Sequence, residues 1–113
     1  MLALLMLFAL SQCKKDEPIA LTTPGKFYHK YTRGQISECW MVGTMYYVAG
    51  DLAYDSGATI YDRSGNSVAS CNYAWGRVYA MCNRMDSCRV IYRSEGNMHN
   101  LPFVDIYGLS KIK

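Results

Sequence analysis

The side chains in this sequence whose type and spacing most suggest chemistry are its five cysteines. Cys13 stands apart from Cys39, Cys71, Cys82 and Cys88. Thiolates bind metals, exchange with disulfides or pair. Zinc sites use cysteine pairs two to four residues apart, whereas Cys82 and Cys88 have five residues between them, and only His29 and His99 could complete a ligand set. No metal site is therefore expected. The CxxC spacing of a redox dithiol is absent. Pairing within Cys39, Cys71, Cys82 and Cys88 remains, which allows three connectivities that spacing does not choose among.

Other catalytic constellations are missing. His29 lies in or beside a segment that reads as a linker, and His99 sits in the polar stretch Gly96-Asn97-Met98-His99-Asn100. Both read as solvated histidines. Asp51 and Asp55 share a loop and could contribute to a Ca²⁺ site, but the Asp-rich, glycine-centred spacing of a calcium loop is not there. No phosphate-binding glycine loop, GxSxG or HExxH occurs. No catalytic residues and no cofactor are expected.

Cys13 has its own context. The run MLALLMLFAL is apolar throughout, then Ser11-Gln12-Cys13 leads into the charged Lys14 to Glu17. A spanning helix needs about 20 apolar residues, so this stretch reads as the hydrophobic core of a signal peptide rather than a span. A buried N-terminal helix would have no polar face for solvent. Gln12 also suits ordinary signal peptidase poorly. Leu10-Ser11-Gln12-Cys13 resembles a lipobox, the site at which bacterial prolipoproteins are lipidated and cleaved, with Gln12 standing where Gly or Ala is usual. Cys13-Lys14-Lys15-Asp16-Glu17 resembles the mature end of lipoproteins of the Bacteroidota. The resemblance implies lipidation of Cys13, a mature chain without residues 1–12, and membrane association through acyl chains. It places the protein in the bacterial cell envelope, with the outer membrane, on its periplasmic or surface face, as the expected address. Nothing from Met1 to Leu10 is basic, unlike a typical signal peptide, so a short basic segment upstream is expected. Export would favour two disulfides among the four remaining cysteines.

Removing 12 of the 113 residues leaves 101, one domain's worth. The excess of 12 Lys and Arg over 9 Asp and Glu lies wholly in that part and is too mild to imply a nucleic-acid partner. Residues 13–30 carry charges with Pro18, Pro24 and Gly25 and read as a lipidated, flexible tether. Residues 31–113 would form the single small domain. Within it, CWMVGTMYYVA from Cys39 to Ala49 is the candidate central strand, ended by Gly50-Asp51. Ala58 to Tyr61 and Ser67 to Cys71 flank Asp62-Arg63-Ser64-Gly65-Asn66 and predict a hairpin. Residues 72–88 read as mostly irregular and strand, although Val78, Met81, Cys82 and Met85 fall at helical spacing. The alternation of Arg89 to Arg93 and the run Phe103 to Tyr107 predict two further strands. The expected fold is mainly β, a small antiparallel sheet of about five or six short strands, curled or sandwich-like, with room for one short helix. Tyr46-Tyr47-Val48 with Ile60-Tyr61-Asp62 and Gly65-Asn66 resembles the core of some small uncharacterised lipoproteins of the Bacteroidota, which implies no mechanism.

Binding candidates follow from composition. Ten tyrosines suit half-buried sheet positions or an aromatic binding surface, with Tyr46 and Tyr47 the candidates. Arg77, Arg84, Arg89 and Arg93 could grip an anionic glycan or a partner's carboxylates if they shared a face, or could be solvated edge charges. The expected function is a non-enzymatic, lipid-anchored module that binds a protein or a glycan. The alternative is an envelope inhibitor of a hydrolase that presents a constrained loop between Cys82 and Cys88, and a small hydrolase is the third reading.

Overall fold

The computed structural model of the protein describes residues 22–52, 57–72 and 77–112. Seven antiparallel strands form one open sheet: β1 (Gly34–Met41), β2 (Thr44–Asp51), β3 (Ala58–Tyr61), β4 (Ser67–Asn72), β5 (Arg77–Val78), β6 (Cys88–Arg93) and β7 (Val104–Asp105). Their order is β5-β4-β3-β2-β1-β6-β7, and β5 and β7 are two-residue edges. Among the described residues the molecule is mainly β with one short α-helix, as the sequence predicts. Its seven described strands belong to a single sheet, and the two faces are covered by a short helix, turns and loops.

The run from Cys39 to Ala49 is not one strand. It is a hairpin in which β1 ends at Met41 and β2 begins at Thr44, with Val42 at φ 50° and Gly43 at φ 76° between them. A two-residue turn with both central φ positive matches the twist of the flanking strands and normally carries Asn-Gly or Asp-Gly. Val-Gly hides that signal. The second hairpin matches expectation: Asp62 accepts from the Ser64 and Asn66 amides at 2.9 and 3.0 Å, and Gly65 takes φ 91°. These hydrogen bonds, the Asn66 amide first, hold the exposed Asp62 carboxyl below its usual range.

Alternation along β1 defines the faces. Ile36, Glu38 and Trp40 lie opposite Ala49, Tyr47 and Met45 of β2 on the first face. Ser37, Cys39 and Met41 take the second. The first face carries the larger core, where Ile36, Ile91 and Leu109 are fully buried among Phe27, Tyr28, Tyr47, Tyr61 and Tyr92. Burying each such aliphatic side chain contributes about 1.5–3 kcal/mol. The second face buries Ile60, Ala69 and Cys71 under Met81, Cys82 and Met85. At one end of the sheet a Cβ on Gly34 would run into the carbonyl of Gly50, so the two backbones approach as only glycine permits.

The tether expected over residues 13–30 ends earlier than the sequence suggests. Helix α1 (Thr23–Phe27) and the 3-10 turn Tyr28–Tyr31 cover the first face, with Pro24 in the first turn of α1. Phe27 stacks on Tyr61 at a centroid distance of 4.5 Å and meets Tyr47 edge-on at 5.6 Å. The domain therefore includes residues 23–30, because two aromatic rings in that stretch repay their ordering by burial. Residues 77–88 follow expectation, with β5, a 3-10 turn (Ala80–Asn83) and irregular chain up to β6, while residues 73–76 of the same stretch lie outside the described residues.

Candidate functional site

The cysteines pair as Cys39–Cys88, joining β1 to β6, and Cys71–Cys82, joining β4 to the 3-10 turn. Neither bond closes the loop from Cys82 to Cys88 on itself. Instead residues 83–87 are held between two separate staples. The Asp86 amide donates to the Trp40 carbonyl at 2.8 Å, and the Trp40 amide to the Ser87 carbonyl at 3.1 Å. The loop thus extends the sheet beside the β1–β2 turn. By loop-closure entropy the Cys39–Cys88 bond stabilises by about 4 kcal/mol and the Cys71–Cys82 bond by about 3 kcal/mol.

That end of the sheet has unusual features. Val42 is 92% exposed at a left-handed backbone conformation. A β-branched residue there costs about 1–2 kcal/mol, and its side chain gains nothing from burial in return. Trp40 is partly exposed next to it, and Arg84, Asp86 and Ser87 are exposed on the pinned loop. Between the staples, on the second face, lies an open apolar cavity of about 450 Å³ lined by Val48, Ile60, Met85 and the half-cystines.

A buried carboxylate sits at mid-sheet on the first face. Glu38 accepts from Arg89 Nη2 at 2.6 Å and from the Tyr107 hydroxyl at 3.1 Å, and Arg89 Nη2 also donates to the Tyr107 oxygen at 2.8 Å. Burial first, then the hydrogen bond to Glu38, raises the Tyr107 phenol above its ordinary value. Tyr47 is raised by burial and then by the Glu38 charge. A cleft of about 240 Å³ beside the cluster is lined by Thr22, Thr23, Pro24, Tyr47 and Tyr107. Its chemistry is that of a clasp: the carboxylate is engaged by a guanidinium and a phenol, and the Thr23 hydroxyl donates to the Arg63 carbonyl at 2.6 Å. No base faces a free nucleophile there.

The binding candidates are scattered. Tyr46 and Tyr47 are consecutive in a strand and so point to opposite faces. Tyr47 is a core ring against Phe27, and Tyr46 packs on the second-face cluster. Arg89 lies opposite Glu38 and Arg93 opposite Gln35, three positions apart on β1, which puts them on opposite faces. Arg93 Nε donates to Gln35 Oε1 at 2.8 Å. Arg84 is on the pinned loop and the backbone of Arg77 is in β5. Arg84, Arg89 and Arg93 therefore form no common grip, and the side chain of Arg77 lies outside what is described. His29 and His99 are both exposed. Asp51 closes β2, while Asp55 and Cys13 lie outside the described residues. Among the described residues, no group of three or more His, Cys, Asp or Glu could hold a metal, and no helix is long and apolar enough to cross a membrane.

Sequence reasoning missed Val42 and Glu38. Val-Gly between two β-rich runs was the available sign of the first, and a lone acid at an inward position of an alternating strand was the sign of the second. Comparison with known proteins finds no matching family model, no matching curated protein and no matching solved structure.

Proposed function

We propose that this chain is an envelope lipoprotein, anchored through acyl chains on Cys13, whose domain is a non-enzymatic module that binds a partner protein through the end of the sheet carrying Val42 and loop 83–87. The observation that carries this reading is Val42, an apolar side chain held almost fully in solvent at a backbone conformation that disfavours it. Strain of this kind persists where surrounding structure enforces it and is commonest at functional surfaces. Trp40 and Arg84 beside it are of the residue types that dominate protein interfaces. The two disulfides keep the surface rigid, which lowers the entropic cost of binding.

A hydrolase is the favoured class of partner in a second reading. Loop 83–87 is stapled at both ends and hydrogen-bonded to β1, and a rigid loop of this kind can occupy a cleft without rearranging. The test is a photo-crosslinking amino acid placed at Val42 in the native host, with Val68 on the opposite side of the sheet order as the control position. One discrete protein adduct at position 42 and none at 68 is expected. Equal labelling at both positions would remove the reading. Anchoring is tested separately by metabolic labelling with an alkyne fatty acid, which is expected to mark the wild type and not C13A.

A further inference from the structure

We infer that the cavity at the Gly34 end of the sheet binds a short zwitterionic peptide with both termini free, in a site separate from the Val42 surface and from the Cys13 anchor. This open cavity, about 810 Å³ in volume, falls within the size range of small-ligand sites. Strands β1 and β6 bring its walls together. Gln35 pairs with Arg93, and the Ser94 amide donates to the Gly34 carbonyl at 3.0 Å, so the next residues outward, Arg33 and Glu95, reach the same end of the sheet. Both line the cavity, and so does Asp51, which pairs with Gly34 from the β2 side. Asn97 holds the loop that completes the wall: its side-chain amide donates to the Ser94 and Leu101 carbonyls, and its side-chain oxygen accepts from the Leu101 amide.

Three observations point to the ligand. Arg33 and Glu95 are exposed charges of opposite sign that pair neither with each other nor with any other described residue. Arg93 and Asp105 close by are engaged instead, the first by Gln35 and Pro102 and the second by the Leu109 and Ser110 amides, and Lys111 does not line the cavity. The walls thus carry one guanidinium and two carboxylates. Second, Ser94 is only 6% exposed, and its hydroxyl has no hydrogen-bond partner among the described residues. Every fully buried polar side-chain atom among them has a partner, so the small open part of Ser94 includes its hydroxyl, at the cavity wall. Third, Met98 and Phe103 add an apolar side to the same cavity, and Phe103 rests edge-on against Tyr92 at a centroid distance of 6.4 Å. A peptide with free termini answers all three. Its carboxylate meets the Arg33 guanidinium, its ammonium meets Glu95 with Asp51 beside it, a peptide carbonyl accepts from Ser94, and an apolar side chain covers Phe103. A neutral saccharide would leave both charges to water, and a simple ion would use only one sign.

The test follows the backbone amide NMR shifts of the isotope-labelled full chain in detergent micelles during titration with alanyl-phenylalanine, its N-acetyl form and its C-terminal amide. Saturable shifts at Leu52, Gly96 and Ser110, none at Val42 or Thr44, and a Kd on the order of 1 mM are expected for the free dipeptide. Blocking either terminus should weaken binding about fivefold. R33M should weaken the free dipeptide about fivefold and leave the C-terminal amide at its wild-type affinity, and E95Q should do the same with respect to the N-acetyl form. S94A should weaken all three peptides about fivefold. Urea midpoints of R33M and E95Q should match the wild type, since neither side chain has a described partner to lose. Absence of saturable shifts, equal affinity for free and blocked peptides, or R33M and E95Q variants that keep the wild-type preference for free termini would overturn the inference. So would cavity shifts produced by the disaccharide chitobiose and not by the dipeptide.

Discussion

Glu38 and Arg89 face each other across β1 and β6 at 2.6 Å, and the two side chains differ in exposure: 10% for the acid and 58% for the base. The asymmetry dictates how the pair responds to mutation. If Glu38 loses its charge, Arg89 can turn to water, so E38Q should cost only about 1 kcal/mol in urea unfolding, the worth of an ordinary hydrogen bond. If Arg89 loses its guanidinium, a nearly buried carboxylate is left with the Tyr107 phenol alone, and a stranded buried charge is costly. R89M should therefore lower the urea midpoint more than E38Q does, and the double variant should recover part of the loss. An equal or reversed order would mean that the carboxylate is better hydrated than its position implies.

Val42 allows stability and binding to be moved in opposite directions. Asparagine tolerates the left-handed region and is favoured at this turn position, so V42N should raise stability by about 1 kcal/mol, measured by urea unfolding. The same change removes the apolar tip and should weaken the partner adduct trapped at a neighbouring crosslinker position such as Thr44. A variant that is more stable and binds undiminished would detach Val42 from the interface.

What could be read from the residues depended on whether a segment's signal was local. The hairpin over residues 58–71 was legible because Asp62, Gly65 and Asn66 are the residues such a turn demands. The position of strand β6 was legible from the run Arg89 to Arg93, although a bulge against Ile36 and Ser37 breaks its alternation and puts the two arginines on opposite faces. The four cysteines other than Cys13 pointed to the two disulfides that form. Their pairing was not legible, since it depends on which strands become neighbours. The Val42-Gly43 turn was hidden by a residue chosen against backbone preference. The clasp of Glu38, Arg89 and Tyr107 spans separations of 51 and 69 residues, and no local pattern announces it.

The segment around Phe27 was misread for a related reason: its Pro-Gly and flanking lysines resemble a linker, while its role is set by rings far along the chain. Phe27 is buried against Tyr47 and Tyr61. F27A should cost about 3–5 kcal/mol, and a domain begun at residue 31 should fail to show a cooperative thermal transition. If truncation at 31 left the melting curve unchanged, residues 23–30 would be ornament to the fold.

The disulfides should contribute unequally. Cys39–Cys88 closes a sequence separation of 49 residues and Cys71–Cys82 one of 11. Removing the first as C39A/C88A should lower stability by about 4 kcal/mol and removing the second as C71A/C82A by about 3 kcal/mol, both read by urea unfolding. The second loss matters more locally, because Cys82 tethers the front of loop 83–87. Hydrogen exchange in that loop should therefore rise more in C71A/C82A than the smaller stability change alone predicts.

Alkaline pH should unfold the protein through its tyrosines. Tyr61 is raised above its ordinary value by burial and then by the hydrogen bond it shares with Tyr31 at 2.6 Å, and Tyr92, Tyr47 and Tyr107 are raised chiefly by burial. A phenol whose pKa is higher folded than unfolded holds its proton more tightly in the native state. Its contribution is therefore fully present below the unfolded value near pH 10 and is lost as pH rises toward the folded one. The urea midpoint should stay flat up to about pH 10 and fall above it, while absorbance at 295 nm reports that part of the tyrosine signal titrates late and together with unfolding. Y61F removes one of these groups, so its midpoint should fall less steeply in the same range even though the variant loses the Tyr31 hydrogen bond at neutral pH. A wild-type midpoint that does not move above pH 10 would show the phenols ionising freely in the native state, and the core around Phe27 would have to be far wetter than its packing indicates.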